Sequence, residues 1–185
     1  IEIEPNIITG KTPPKTHPEY FAGNIPFITI GDIRGNTFIV RTEQTLSSQG
    51  ADFQKGKYLK RGTICVTCIA SPGLIGIASE RSQTNQQINS VVCSNVHNKY
   101  YLYYAIKDFL GGSKAKTGNT FANMNKADFG GIVLIAPETS TLKLFHEKVE
   151  ATFEAILNRT VESQYLTQLR DWLLPMLMNG QVTVA

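Results

Sequence analysis

The chain is 185 residues long, 42% hydrophobic and 18% charged, enough for one soluble compact domain with a real core and an appendage. Its net charge of +3 is uneven: residues 1–135 carry 14 Lys/Arg against 9 Asp/Glu, and residues 136–185 carry 4 against 6. A basic body suited to a polyanion thus bears a faintly acidic tail. No apolar run approaches the ~20 residues of a bilayer span, no signal peptide is read, and an opening at Ile1 rather than Met is that of a trimmed chain.

Thr9-Gly10-Lys11-Thr12 has the tail of a phosphate-loop signature, but Pro5 stands where the pattern needs its first Gly, which excludes a nucleotide site. Pro13-Pro14-Lys15-Thr16-His17-Pro18 reads as an extended surface loop. Ile25–Ile30 reads as a strand closed by a Gly31-Asp32 turn, and Phe38–Val40 as a short strand reached over Gly35-Asn36. The centre of the chain is Arg61–Ile88, where Thr63–Ile69 and Leu74–Ala78 are β-branched, apolar runs split by Ser71-Pro72-Gly73. They predict a hairpin whose second strand bulges or is closely approached at Gly76. The turn and the polar exit Gln83–Gln87 are where function can sit, although an ordinary core hairpin has the same pattern. Short strands at this spacing predict a mostly antiparallel, twisted sheet or partial barrel.

Three cysteines, an odd number, argue against a disulfide framework and for a reducing, cytoplasmic compartment. Cys65-x2-Cys68 with Cys93-x3-His97 has zinc-like spacing. In a strand, however, residues three apart point to opposite faces, so buried strand cysteines are expected and no metal is assigned. A Cys/His nucleophilic pair lacks an orienting group in the sequence.

Lys99–Leu110 has helical spacing, with Leu102, Ala105, Ile106, Phe109 and Leu110 on one face and Gly111-Gly112 as its stop. The tyrosines around it suit packing more than base stacking. Gly112–Thr120 is small, polar and basic, the composition either of a backbone that approaches phosphates or of a solvated linker. Asn125 predicts a cap for a short helix through Phe129, and Ile132–Ile135 a final buried strand ended by Pro137. Ser140–Leu174 is a Gly- and Pro-free stretch that predicts one long helix ended by Pro175. Leu142, Phe145, Val149, Phe153 and Ile156 mark a stripe that Leu166, Leu169 and Leu173 are expected to continue, for pairing with another helix.

The order GKTPP, YFAGNIPFITIGDI, YLKRGTICVTCIASPGLIGIA, NQQI, YYLYYAI, GNTFANMNKADFGGIVLIAP, long helix and LRDWLLPMLMNGQV resembles the DNA specificity subunits of type I restriction–modification systems, over essentially the whole chain. Where family members often have a second proline and a Glu-Gln pair entering the helix, Ala136-Pro137-Glu138-Thr139 stands here. The resemblance implies an α+β target-recognition domain over 1–138, and over 139–185 a long conserved-region helix and tail for dimerisation and subunit assembly. It is either the second half of a two-domain subunit or a natural half-subunit. It implies a non-catalytic, cytoplasmic reader of one half of a split site in double-stranded DNA, without cofactor, metal or membrane. Modification subunits methylate adenine and a motor/nuclease restriction subunit cuts. In that reading Lys11, Thr12, Arg34, Lys114, Lys116 and Lys126 are expected at phosphates, and Thr29, Asp32, Ser71 and Thr117 nearer the bases. Val149, Phe153, Ile156, Leu166, Leu169 and Leu173 are expected at a helix–helix interface, including that of a homodimer. The alternatives are the recognition domain of a self-contained adenine methyltransferase, against which the exit motif after Leu174 argues, and a Cys-dependent enzyme using Cys65 or Cys68.

Overall fold

The apolar central segment forms the middle of the structure. A computed structural model describes residues 6–117 and 124–182, the side chains of 113–117 excepted. In it β5 (Ile64–Thr67) and β6 (Ile75–Ala78) make the expected antiparallel hairpin, Cys65 opposite Gly76. With β1 (Asn6–Thr9), β3 (Phe38–Ile39) and β8 (Ile88–Val92) they form a five-stranded sheet in the order β1-β8-β5-β6-β3. A second sheet has the order β4-β2-β7, from β2 (Phe21–Ile28), β4 (Gln44–Leu46) and β7 (Gln83–Thr84). Pairing is mostly antiparallel, with β3 parallel to β6 and β2 parallel to β7. The expected mostly antiparallel sheet forms, divided in two, and among the described residues no barrel closes.

The strands β5 and β6 are buried at every position because both faces are covered. Ile64, Val66, Cys68, Ile75 and Ile77 share a core with Tyr100, Leu102 and Ile106 of α3 (Lys99–Thr117) and Phe153 of α5 (Thr139–Met178). Cys65 and Ala78 point the other way, to Ile28 of β2 and Ile33 of α1 (Ile30–Ile33). Gly76 is where this packing needs no side chain: a Cβ there would lie 3.1 Å from Ile39 Cγ1 and 3.3 Å from Ile33 Cγ2.

Gly111-Gly112 does not stop α3, which runs to Thr117. A glycine ends a helix by turning left-handed, and neither of these has a positive φ. Part of the expected 112–120 loop is therefore helix, and its remainder, Gly118–Thr120, lies outside the described residues. Asn125 caps α4 (Lys126–Gly130) as expected, accepting from the amides of Ala127 and Asp128 at 2.8 and 2.9 Å. Among the described residues, 132–135 pair with no strand. Ile132 and Leu134 pack on the core while Val133 and Ile135 stand 88% and 86% exposed. Their backbone is tied by the Tyr101 hydroxyl, which donates to the Ile135 carbonyl.

Pro175 lies inside α5 rather than after it. The bond it forfeits is to the Asp171 carbonyl, on an exposed turn near the helix end. Gly180 supplies the stop: at φ +67° it donates to Leu177 O (3.2 Å) while Gln181 donates to Met176 O (2.9 Å), the paired closure of a left-handed C-terminal cap. The 40 residues of α5 span about 60 Å at 1.5 Å each, and the first half is bound at home. Leu142, His146, Phe153 and Leu157 are buried, Phe145 and Val149 pack beside them, and Phe153 stacks on Tyr100 with ring centroids 4.0 Å apart. Phe153, expected at an interface between helices, is thus 2% exposed in its own domain's core.

The stripe also does not run on. At roughly 100° per residue, Leu166, Leu169 and Leu173 fall about 160–220° around the helix from Phe153, on the opposite side. Among the described residues no helix is long and apolar enough to cross a membrane.

Candidate nucleic-acid interface

Strand register fixes which connections meet. Thr9 faces Asn89, Thr67 faces Ile88 and Ile28 faces Thr84, so the chain leaves β1, β2, β5 and β7 at one end of the two sheets. Segments 10–12, 29–32, 68–74 and 85–87 therefore gather there. They are tied backbone to backbone: Gly10 donates to Ile88 O (3.1 Å), Lys11 to Thr84 O (2.9 Å), Asn85 to Ile28 O (3.1 Å) and Cys68 to Gln87 O (2.9 Å). Glycine at position 10 permits this contact, since a Cβ there would sit 2.1 Å from Asn85 O.

Beneath lies a polar core. Gln83 donates to Ala51 O in α2 (Ser48–Asp52), and Gln54 donates to Lys11 O and to Gln83 Oε1 at 2.8 and 2.7 Å. Gln83 and Thr84, expected in the polar exit of the hairpin, are wholly buried as β7. The exposed part of that exit is Gln86, whose Oε1 accepts from the Thr12 hydroxyl at 2.7 Å.

The candidate DNA residues distribute as follows. Lys11, Thr12, Thr29 and Ser71 belong to the gathered loops, and Lys126 opens α4 two residues after Met124, whose amide donates to Cys68 O. Lys11 and Lys126 are exposed. Asp32 is engaged locally: Oδ2 accepts from the Thr29 amide and hydroxyl at 2.7 and 2.8 Å, and Oδ1 from the Glu43 amide at 2.9 Å. Arg34 is exposed just beyond α1. It lies next to a polar cleft in which Asp32, Asn36 and Arg41 face Thr160, Ser163, Gln164 and Thr167 of α5. Lys114, Lys116 and Thr117 lie on the last turns of α3, their side chains outside the described residues. Ser71 sits in a constrained turn, its neighbours Ala70 and Gly73 at φ +65° and +87°.

The sequence marked the polar exit Gln83–Gln87 as a place for function without assigning any of its residues to DNA, and it did not single out the basic pocket at the other end of the sheet. There Lys60, Arg61, Lys99, Cys93 and Glu154 line a concavity and Arg61 pairs with Glu154 at 3.3 Å. The run NQQ was the signal for the first, while residues as distant in sequence as 61 and 154 gave none for the second.

The cysteines are poorly placed for chemistry. Cys65 and Cys68 point to opposite faces of their sheet. Burial pushes the Cys65 thiol up to about 12 and Cys93 to about 11, the latter against the pull of Lys60 and Lys99, and raises Cys68 as well. A thiol so disposed is a poor nucleophile at neutral pH. Among the described residues no group of three or more His, Cys, Asp or Glu side chains is placed to hold a metal.

Residues 5–158 match the family described as Type I restriction modification DNA specificity domain. The type I restriction enzyme HindI specificity subunit of Haemophilus influenzae is 38% identical over 95% of this chain and 39% of its own length. The MjaIX specificity subunit of Methanocaldococcus jannaschii is 30% identical over 56% of the chain and 27% of its own. Among solved structures, the S subunit from M. genitalium superposes with a TM-score of 0.66 at 16% identity, covering 92% of this chain and 42% of that one. The HsdS subunit from Thermoanaerobacter tengcongensis superposes with a TM-score of 0.58 at 15% identity, covering 96% and 43%. The chain thus spans about two fifths of the length of the HindI relative and of both solved structures, and with the family match over most of its residues it belongs to the type I restriction modification DNA specificity domain family.

Proposed function

We propose that this chain reads one half of a split site in double-stranded DNA and has no catalysis of its own, its partners being modification subunits that methylate adenine and a restriction subunit that cuts. The observation that carries the reading is the 38% identity to a named specificity subunit over 95% of the chain. The gathering of the 10–12, 29–32, 68–74 and 85–87 segments at one end of a rigid double-sheet scaffold supports it. Binding residues on loops held by a packed scaffold are the usual arrangement for recognition. In this division of labour Lys11, Thr12, Arg34 and Lys126, with Lys114 and Lys116, supply phosphate contacts. Thr29, Ser71 and Thr117 lie nearer the bases, and Asp32 shapes the loop that presents Thr29. Residues 1–138 form the reading part and 139–185 the assembly part.

The distal half of α5 pairs with a second long helix, from another copy or from the remainder of a longer subunit. Tyr165, Leu166, Leu169, Trp172 and Leu174 are exposed along it, too much apolar surface for a lone helix in water. Neither rival reading gains from the structure: the buried, high-pKa thiols weigh against a Cys-dependent enzyme.

The test is a swap of residues 1–135 into a related specificity subunit, with methylated adenines mapped in the assembled enzyme. A changed half-site supports the reading; methylation unchanged at both halves, from a folded and assembled chimera, refutes it.

A further inference from the structure

The turn between β7 and β8 has a hydrogen-bond polarity that its composition does not reveal. An amide side chain offers one acceptor oxygen and two N–H donors, so Asn85-Gln86-Gln87 is chemically neutral until its partners are known. The Gln87 backbone N–H, which can only donate, bonds to Asn85 Oδ1 at 3.1 Å. That turns Asn85 Nδ2 onto Gln87 Oε1 at 3.0 Å. Gln86 Oε1 in turn accepts the Thr12 hydroxyl at 2.7 Å. All three side-chain oxygens thus hold protons from within the protein. Gln86 and Lys11 are exposed and Gln87 is half-buried, and among the described residues the NH2 of Gln86, the NH2 of Gln87 and the Lys11 ammonium are the donors left over for a ligand.

The platform is stiff. Gly10 is pressed against Asn85, and the Cys68 amide fastens Gln87 to the β5–β6 turn. Donors held in place and lacking internal acceptors suit a ligand that offers acceptors only. A phosphodiester oxygen is such a group and lies along every sequence; the O6/N7 edge of guanine is the one base edge of the same polarity, whereas adenine recognition by a Gln needs that side chain's oxygen to accept from N6.

We infer that the Asn85–Gln87 turn together with Lys11 is a donor-only clamp for the sugar–phosphate backbone of DNA, gripping the duplex without reading its sequence. This rests on the DNA reading above and adds residues 85–87 to it.

Gln86→Glu and Gln87→Glu each keep the oxygen that Thr12 or Asn85 uses and replace the outward donors by an acceptor. Gln86→Met removes the donors without adding charge, and Gln168→Glu on exposed α5 controls for charge alone. Binding of the whole chain to three random-sequence duplexes of about 30 base pairs is measured by fluorescence anisotropy at low salt. The clamp predicts a loss of about tenfold for the Glu variants and a smaller one for Gln86→Met, equal on all three duplexes, with Gln168→Glu and the melting temperatures unchanged. Equal affinity of Gln86→Glu, Gln87→Glu and the parent overturns the clamp and leaves the DNA reading standing. A loss confined to one duplex makes these residues base readers and overturns it too. A parent chain that binds no duplex sinks the DNA reading itself, and the clamp with it.

Discussion

Replacing Phe153 by Ala separates a home-core role for the first half of α5 from an interface role. The ring is 2% exposed, stacked on Tyr100 at 4.0 Å, and edge-on to Phe38, Tyr103 and Tyr104 at 6.1, 6.0 and 5.9 Å. It therefore joins β3, α3 and α5. Truncating a buried Phe costs about 3–5 kcal/mol through lost burial and the cavity left behind. At roughly 2–4 °C per kcal/mol for a domain of this size, the melting temperature should fall by about 6–20 °C. Leu169→Ala, at a position 48% exposed, should cost less than about 0.5 kcal/mol in dilute protein. Thermal and urea unfolding followed by circular dichroism measure both, with sedimentation recording the oligomeric state. A Phe153→Ala protein with near-parental stability but altered association would refute the reasoning and return Phe153 to the seam between helices.

Gly10→Ala should destabilise by more than about 2 kcal/mol, because the new methyl meets the backbone oxygens of Asn85 and Thr84, which cannot swing aside as the Thr84 hydroxyl can; a urea midpoint equal to the parent's would refute it. Alkaline pH should loosen the fold through Cys65. The unfolded thiol ionises from its ordinary 9.0 while the folded one keeps its proton to about 12, so the stabilisation is complete below pH 9 and is lost as pH rises towards 12. The slope is about 1.4 kcal/mol per pH unit, and in Cys65→Ala it should be shallower by that amount in urea titrations. Leu166→Asp with Leu169→Asp should leave urea stability within about 1 kcal/mol while abolishing any self-association at tens of micromolar seen by sedimentation. Self-association that persists would move the interface off the distal face.

Local chemistry carried the legible part of the fold. The β5–β6 hairpin, the close approach at Gly76 and the Asn125 cap each depend on residues within a few positions or on one steric requirement. What failed depended on context. Gly111-Gly112 and Pro175 are generic helix breakers, yet α3 continues through the first and α5 through the second, and Gly180 ends α5 because its backbone turns left-handed. Ile132–Ile135 has strand chemistry but no strand to pair with. Gln83 and Thr84 read as part of a polar exit, and polar residues are mostly exposed, whereas Gln83 is buried by virtue of Ala51 O and Gln54, far from it in sequence. At the candidate site Lys11, Thr12 and Ser71 were readable as polar loop residues. That Gln86 would lean on Thr12, 74 positions away, was not.

The two faces of α5 make a last prediction about geometry. Its first half is locked to the domain by the column His97, His146, Tyr100 and Phe153, with centroid steps of 5.2, 5.0 and 4.0 Å. Leu166, Leu169 and Leu173 of its second half face about 160–220° away from Phe153. A helix that pairs there approaches from the side opposite the domain, so the rotational phase between Leu157 and Leu166 fixes how the recognition loops are turned relative to the rest of an assembled enzyme. The intervening Asn158, Arg159, Glu162 and Ser163 are exposed, and an insertion just after Glu162 leaves Val161 and the buried residues before it in place, displacing from the domain only the polar side of the cleft that Ser163, Gln164 and Thr167 line. One added Ala turns the domain by about 100° around the distal helix, and two turn it by about 200°. Both variants should fold, melt near the parent and assemble with modification subunits, since each apolar face stays whole. Both should fail to methylate, because loops turned by that angle no longer meet the groove the partner encloses. The assay is adenine mapping in the assembled enzyme beside a melting curve. Unchanged methylation at the parental site in both variants would show that α5 is a compliant tether rather than the element that sets the domain's orientation.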